Sequence, residues 1–373
     1  MKTFPIADSV SFKNARNFHN FHLFPLSTFP LSSLGANKPA LTDSHPKVPA
    51  APLISRGLQK IPAGSRIFFA PLPSPFFFVP LRLCVSLFSK HAFAMRHLFV
   101  LLTLFALNVS LSAAESLRVM TYNLRYASTN KPNAWPDRRP IMKECLTTAD
   151  PDLFGTQEGV YYQLRELESD LPQYRWIGTG RDGGSRGEFM AIFYKHDRFE
   201  PLEYDHFWLS DTPEVIGSTT WGNTNRRMVT WVRFKDRVTG AEFYLVNTHF
   251  DHQIQEAREK AAELLLTRVK KLKADLPLIV MGDFNAKAGA NKAYEILIAE
   301  NWLTDTWNTA TEKRGEVVAT FNNFRKAIPG DNRIDWILTR NIPAPAWIEI
   351  ITCAKDGQYP SDHFPVLTEL RLK

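Results

Sequence analysis

The chain has 373 residues, enough for one large domain or two smaller ones, and it carries a formal net charge of +7. That charge is uneven: residues 1–94 hold ten Lys/Arg and two acids, which leaves 35 basic and 36 acidic residues for the remainder. A global cationic field able to steer a polyanion onto the body of the protein is therefore excluded, although a local patch or a bound cation can still supply positive charge.

Residues 1–94 also hold 12 of the 25 prolines and 13 of the 27 phenylalanines, without a sustained helical or alternating period. The most apolar stretch, Ala70 to Arg82, contains four prolines, which prevent a continuous helix and make it a poor membrane span. The segment reads as disordered or as upstream sequence that is not normally translated, and the second reading is preferred because a secretory signal follows it. Met95 and Arg96 lead into an apolar core from Leu98 to Leu107, and Ser112-Ala113-Ala114 supplies the small residues of a cleavage site. That apolar core is roughly half of the ~20 residues that a membrane span requires. The expected organisation is an extension over 1–94, a signal peptide over 95–114 and one domain over 115–373, secreted or periplasmic. Cys84 lies in the extension. Cys145 and Cys353 are compatible with one disulfide or with two buried thiols.

Leu117 to Asn123 has the content of a buried strand, and Pro136 to Thr148 that of a helix opened by proline. Leu153 to Thr156, Phe189 to Tyr194, Met228 to Phe234 and Phe243 to Asn247 read as further strands. Ile254 to Ala274 is the clearest amphipathic helix, with Ile254, Ala257, Ala261, Leu265 and Val269 on one face. Leu278 to Met281, Ile334 to Leu338 and Val366 to Leu370 complete the strands. Strands and helices interleave irregularly, so a mixed α/β sandwich is expected rather than a strictly alternating parallel sheet.

Polar residues gather at the ends of these apolar strands, where rigid elements hand side chains to a cleft. Asn123 closes LRVMTYN, Glu158 follows LFGTQ, and His249 closes FYLVNT. Asp283 and Asn285 follow LIVMG, Asp335 lies within RIDWIL, and Asp362-His363 precede FPVL. Each is an ordinary turn or surface feature when taken alone. As an ordered set, TYNLR, TQE, NTH, GDFN, RIDWIL and SDHFPV resemble the endonuclease/exonuclease/phosphatase superfamily across almost the whole span from Leu117 to Leu370.

The resemblance implies a four-layered sandwich of two packed mixed β-sheets flanked by helices, the deoxyribonuclease I-like fold, and a metal-dependent hydrolase of phosphate esters. It implies Mg²⁺, with Mn²⁺ as a substitute, held by Glu158 with help from Asn123 and Asp362. Asp283 and Asn285 then resemble the pair that orients the attacking water and contacts the phosphate. His363 resembles the general base or a phosphate-contacting histidine, oriented by Asp335. His249 resembles the second histidine, and Glu188 sits where some nucleases of the family place its carboxylate partner. Where repair nucleases carry an acid two positions after the Asn, this chain has Arg125.

The chemistry needs these residue types. Ester hydrolysis builds charge on phosphoryl oxygens, which a hard cation neutralises, while a histidine moves a proton near neutral pH. No Ser or Cys nucleophile motif and no phosphate-binding glycine loop is present, so water attacks directly. Arg226 and Arg227, beside aromatics in WGNTNRRMVTW, are candidates to clamp a second anionic group of the substrate, Arg227 first. The alternative, an edge strand with surface arginines, suits Arg226 slightly better than Arg227. Asp251 is the other candidate for substrate binding, although Asp251 and His252 suit a solvated turn equally well. The substrate is a phosphate ester: nucleic acid, a phospholipid head group or a small phosphorylated metabolite. No stable protein partner is implied, and a monomer is expected. The alternative, an inactive binding protein on the same fold, predicts gaps among the site residues that are not found.

The signal-peptide reading is checked by expression: protein starting at Met95 should be exported, and its mature form should begin near Glu115. Peptides from residues 3–60 recovered from native cells would show that the extension is translated.

Overall fold

The computed structural model describes residues 116–372; the extension over 1–94 and the signal peptide over 95–114 lie outside the described residues. In chain order the elements begin with β1 (Ser116–Asn123), α1 (Trp135–Ala149), β2 (Leu153–Gln157), β3 (Gly159–Val160), α2 (Tyr161–Asp170), β4 (Tyr174–Ile177), β5 (Glu188–Phe189), β6 (Ile192–Lys195) and β7 (Phe199–Trp208). There follow β8 (Met228–Asp236), β9 (Glu242–His249), α3 (Gln255–Val269), β10 (Leu278–Asp283), α4 (Lys292–Ile298), β11 (Thr304–Asp305) and α5 (Thr306–Thr309). The last are β12 (Glu312–Arg314), β13 (Asp335–Arg340), β14 (Trp347–Ile350) and β15 (Val366–Arg371).

Seven strands form one sheet in the order β12-β14-β15-β1-β2-β6-β4, and six form another in the order β11-β13-β10-β9-β8-β7. Both are mixed. β1 runs parallel to β2 and antiparallel to β15, and β10 runs parallel to β9 and antiparallel to β13. Leu117, Val119, Leu153, Phe243, Leu245, Ile279 and Met281 fill the space between the sheets. Behind the six-stranded sheet, Val246 and Val280 pack with Ala261 and Leu265 of α3 and Leu297 of α4. Behind the seven-stranded sheet, Met120 and Tyr122 pack with Met142 and Leu146 of α1 and Leu164 of α2. The four layers follow from strands that are buried on both faces, which is why their sequences read as continuous apolar runs.

Strand parity then decides where the polar ends go. Side chains alternate with a period of two, so Leu117 and Val119 between the sheets imply Thr121 and Asn123 there as well. By the same count, Leu245 brings Asn247 and His249 inward, and Ile279 and Met281 bring Asp283. All five of these polar residues are buried. Gly155 lets the sheets approach: a Cβ there would lie 2.6 Å from Met281 Cε and 2.8 Å from Asn247 Cγ.

Two expectations are corrected. The single strand over Phe189 to Tyr194 is two strands, because β5 pairs with β3 in a small separate sheet while β6 joins the large one. The uniformly apolar FMAIFY run carries no signal of that switch. The ten-residue β7 went unread because it is an edge strand with a register shift at Pro201/Glu203 and exposed Glu203, Tyr204 and Asp205.

The loops that will form the site are tied down from behind by one side chain. Arg138 of α1 is fully buried. It donates to the carbonyls of Leu124 (2.9 Å), Pro360 (2.6 Å), Asn133 (2.9 Å), Arg125 (3.1 Å) and Tyr126 (3.0 Å). A guanidinium has five N–H donors in a rigid fork, and here all are spent on carbonyls. Cys145 of α1 is disulfide-bonded to Cys353 in the segment between β14 and β15, with Cα atoms 6.0 Å apart, which resolves the open question about the thiols.

Arg138→Met should therefore leave the carbonyls of Leu124, Asn133 and Pro360 without a donor, while those of Arg125 and Tyr126 keep Gln163 Nε2 and the Ser128 N–H. The substitution should cost more than about 3 kcal/mol in a denaturant melt. Arg138→Lys, with three donors, should fall between. A loss below about 1 kcal/mol for the methionine variant would mean that water replaces the guanidinium freely.

Candidate active site

The inward strand ends and three adjoining loops enclose a cleft of about 440 Å³ lined by Glu158, Glu188, Arg227, His249, Asp283, Asn285, Asp362 and His363, among others. At its floor Asn123 Nδ2 donates to Asp283 Oδ2 (2.9 Å) and to Glu158 Oε1 (3.1 Å). The first bond joins one sheet to the other. Ser361 Oγ donates to the Asn123 carbonyl (2.6 Å) and accepts from the His363 backbone N–H (3.2 Å), so the loop carrying Asp362 and His363 is bolted to the end of β1. Glu158, Asn285 and Arg125 adopt left-handed backbone conformations, with φ of 62°, 47° and 56°. Non-glycine residues seldom do so, and such positions concentrate at functional sites.

His363 lies between two carboxylates: Nδ1 is 3.0 Å from Asp335 Oδ2 and Nε2 is 3.7 Å from Asp283 Oδ2. Burial disfavours a charged ring, but Asp335 and Asp283 outweigh it and raise the His363 pKa to about 10. Burial, and after it the Asp335 charge, pushes Asp283 up to about 7. His249 behaves oppositely. Burial and the neighbouring Arg227 hold it well below the usual histidine range, so it is a neutral ring; its Nε2 lies 3.0 Å from Asn285 Nδ2.

Two groups of ligand-type atoms are candidates for a cation. Atoms of Asp283, Asp335 and His363 lie within 4.8 Å of one another, yet both ring nitrogens already face carboxylates. Glu158 and Asp362 fit better. Each approaches the partly exposed guanidinium of Arg125 at 3.6 Å, and the buried Asp362 Oδ1 has no hydrogen-bond partner. Burial raises the Asp362 pKa. Glu158 is held low despite burial, because His363, the Asn123 hydrogen bond and Arg125 favour its charge. Two close carboxylates with an unsatisfied oxygen suit a hard divalent ion.

The structure corrects two expected roles, those of Glu188 and Asp251. Glu188 does not partner His249: it forms a two-pronged ion pair with Arg181 at 2.7 and 2.9 Å, because a guanidinium fork matches a carboxylate. Asn123 turns its NH₂ toward both carboxylates and its oxygen toward the Arg125 N–H (2.9 Å), so it also holds Glu158 in place. Asp251 does not line the cleft. It is buried, its Oδ1 accepts from the N–H groups of Gln253 (2.9 Å) and Ile254 (2.7 Å) ahead of α3, and its Oδ2 lies 3.8 Å from Arg227 Nε. Arg227 is buried at the cleft, whereas Arg226 is exposed and bonds Gly217 and Asp182. Arg181, Asn225, Tyr126 and Phe321 also line the cleft. Asn225 lies in the WGNTNRRMVTW segment, whereas no motif marks the other three; the glycine-rich RDGGSRG turn is the one signal that could have marked Arg181.

With this geometry in hand, comparison with known proteins decides the family: the model of the Endonuclease/Exonuclease/phosphatase family matches residues 120–363. The chain belongs to that family. Solved structures similar to it include a family protein from Bacteroides thetaiotaomicron, 35% identical with a TM-score of 0.65 over 69% of this chain and 98% of that one. A mannosyl-6-phosphatase of the same organism is 34% identical, with a TM-score of 0.63 over 68% of this chain and 99% of its own. An uncharacterized protein of Acanthamoeba polyphaga mimivirus is 26% identical over 62% of this chain and 91% of its own length. Zebrafish TDP2, at 18% identity and a TM-score of 0.55, shares the fold. The family contains phosphoester hydrolases, and the expected four-layered fold is the one observed.

The Asp335–His363 contact makes the two a unit, and losses from such units are not additive. Asp335→Asn and His363→Ala should each cut phosphoester turnover by roughly 10²–10⁴-fold, and the double variant should be little worse than His363→Ala. Independent, multiplicative losses in kcat, with thermal stability checked on the same samples, would show that the two act separately.

Proposed function

We propose that this chain is a secreted, Mg²⁺-dependent phosphoric ester hydrolase in which water attacks phosphorus directly, with small phosphorylated sugars as substrates. One observation carries the reading: two carboxylates suited to a cation, Glu158 and Asp362, share a cleft with the charged His363 and with Asp283, whose proton affinity lies near neutrality. Glu158 and Asp362 would hold Mg²⁺, or Mn²⁺ in its place, which neutralises charge developing on the phosphoryl oxygens.

The chain's own groups divide the remaining work. Asp283, poised near neutral pH and set by the Asn123 and Asn285 N–H groups, takes the proton of the attacking water. His363 is already charged between Asp283 and Asp335, so it acts as a donor to a phosphoryl oxygen rather than as the base. Asn285 positions Asp283 through its backbone N–H, and its own amide N–H groups are spent on the Phe250 carbonyl (3.1 Å) and on His249 Nε2 (3.0 Å). These groups are fixed before substrate arrives, which is where preorganised electrostatics gains most.

A small substrate is supported by the mannosyl-6-phosphatase likeness at 34% identity and by a cleft of about 440 Å³, within the usual range for small-molecule sites. The even balance of charge after residue 94 gives nucleic acid no general attraction. Export is supported by the Cys145–Cys353 disulfide, since such bonds persist in oxidising compartments.

Chelation by EDTA should abolish hydrolysis, and Mg²⁺ or Mn²⁺ should restore it. Glu158→Gln keeps the shape but removes the charge, so kcat/KM should fall by orders of magnitude with little change in melting temperature. Full activity after exhaustive chelation would refute the metal-dependent reading.

A further inference from the structure

We propose that Arg227, with Asn225 and His252, forms a hydroxyl-reading wall that selects the sugar part of the ester, and this rests on the phosphate-ester reading above. Arg227 is only 4% exposed yet lines the cleft. Its Nη2 donates to His252 Nδ1 at 3.1 Å, while its buried Nε has no hydrogen-bond partner. That N–H faces the buried Asp251 Oδ2 at 3.8 Å, and it belongs to a side chain that borders the place where substrate must sit. The bond to His252 Nδ1 also leaves Nε2 as the N–H of that ring in its neutral form. His252 lines the same cleft.

The charges on this side cancel. Arg181 is neutralised by its two-pronged pair with Glu188, and the Asp251 carboxylate lies 3.8 Å from Arg227 Nε. A second phosphate would find no net positive charge, which argues against the anionic clamp expected from the sequence. What remains is a mixture of donors (Arg227, His252), an acceptor (Glu188) and the amide of Asn225, a residue type that can do either. A hydroxyl group both donates and accepts, so adjacent hydroxyls of a sugar match such a wall, whereas a bare hydrocarbon would leave its polar groups unpaired.

The wall is also held in place. Asp251 is anchored by the N–H groups of Gln253 and Ile254. The loop before Arg227 is tied to the Arg181 loop through Arg226 Nη1 to Asp182 Oδ1 (3.1 Å), and Trp208 Nε1 donates to the Arg181 carbonyl (2.8 Å). Hydroxyl recognition on this scaffold needs little reorganisation on binding.

The test compares mannose 6-phosphate with phenyl phosphate, which lacks hydroxyls on its organic part, using the full chain with Mg²⁺. The ratio of the two kcat/KM values should fall at least about tenfold in Arg227→Met and severalfold in Asn225→Ala. An unchanged ratio in both variants, with turnover intact, would overturn the wall while leaving the hydrolase reading standing. Equal losses on both esters would also overturn it, since Arg227 would then hold the phosphate itself. If the wild type turns over neither ester, the hydrolase reading fails, and calorimetry on Asp283→Asn protein with Mg²⁺ still decides the wall. Mannose 6-phosphate should bind more tightly than inorganic phosphate, and Asn225→Ala or Arg227→Met should remove that difference. Equal affinities, or binding of neither probe, would overturn it. Should Arg227→Met fail to fold, Asn225→Ala carries both comparisons.

Discussion

A single hydrogen bond, from Asn123 Nδ2 to Asp283 Oδ2, sets the terms for the rest of the structure. Its two ends belong to different sheets, and 160 residues separate them in sequence. The bond forms only if the sheets are packed at the right distance and both central strands are in the right register. A slip of one residue in either strand would turn its polar end toward the helices. The apolar packing between the sheets therefore does more than stabilise the domain: it determines which carboxylates meet.

Once they meet, they must be kept from repelling one another. Glu158, Asp283, Asp335 and Asp362 crowd a small, largely buried volume, and like charges there would each drive a neighbour to take up a proton. The fold answers with His363 between two of them and Arg125 between the other two. Arg138 adds positive charge from behind while its fork is fully committed to carbonyls. The cluster is thus poised so that bound cations and a proton, rather than rearrangement of the chain, complete its neutrality.

Much of this was legible in the residues. Each chemically active group lies at the end of an apolar run, and a run buried on both faces announces a central strand. That same alternation predicts the inward parity of Asn123, His249 and Asp283. Other features were hidden for definite reasons. Glu188 faces Arg181 because of a short strand pairing between β3 and β5, which a two-residue element cannot advertise. Asp251 looked like a pocket residue because its neighbours are polar, yet its carboxylate is consumed by two backbone N–H groups that only the start of α3 reveals. Arg138 sits in an unremarkable helix, and its role depends on five carbonyls contributed by three separate loop segments. β7 was lost because an edge strand mixes polar and apolar residues without a clean period.

The disulfide has a topological consequence. Cys145 and Cys353 are 208 residues apart, so most of the domain is a covalent ring. Glu158, His249, Asp283 and Asp335 lie within that ring, while Asn123, Asp362 and His363 lie on the two tails that leave it. A protease that cuts the exposed turn near Gly184 or near Gly222 opens the ring without releasing a fragment, because both pieces stay joined through sulfur. A nicked molecule of this kind holds every cleft residue at its original effective concentration.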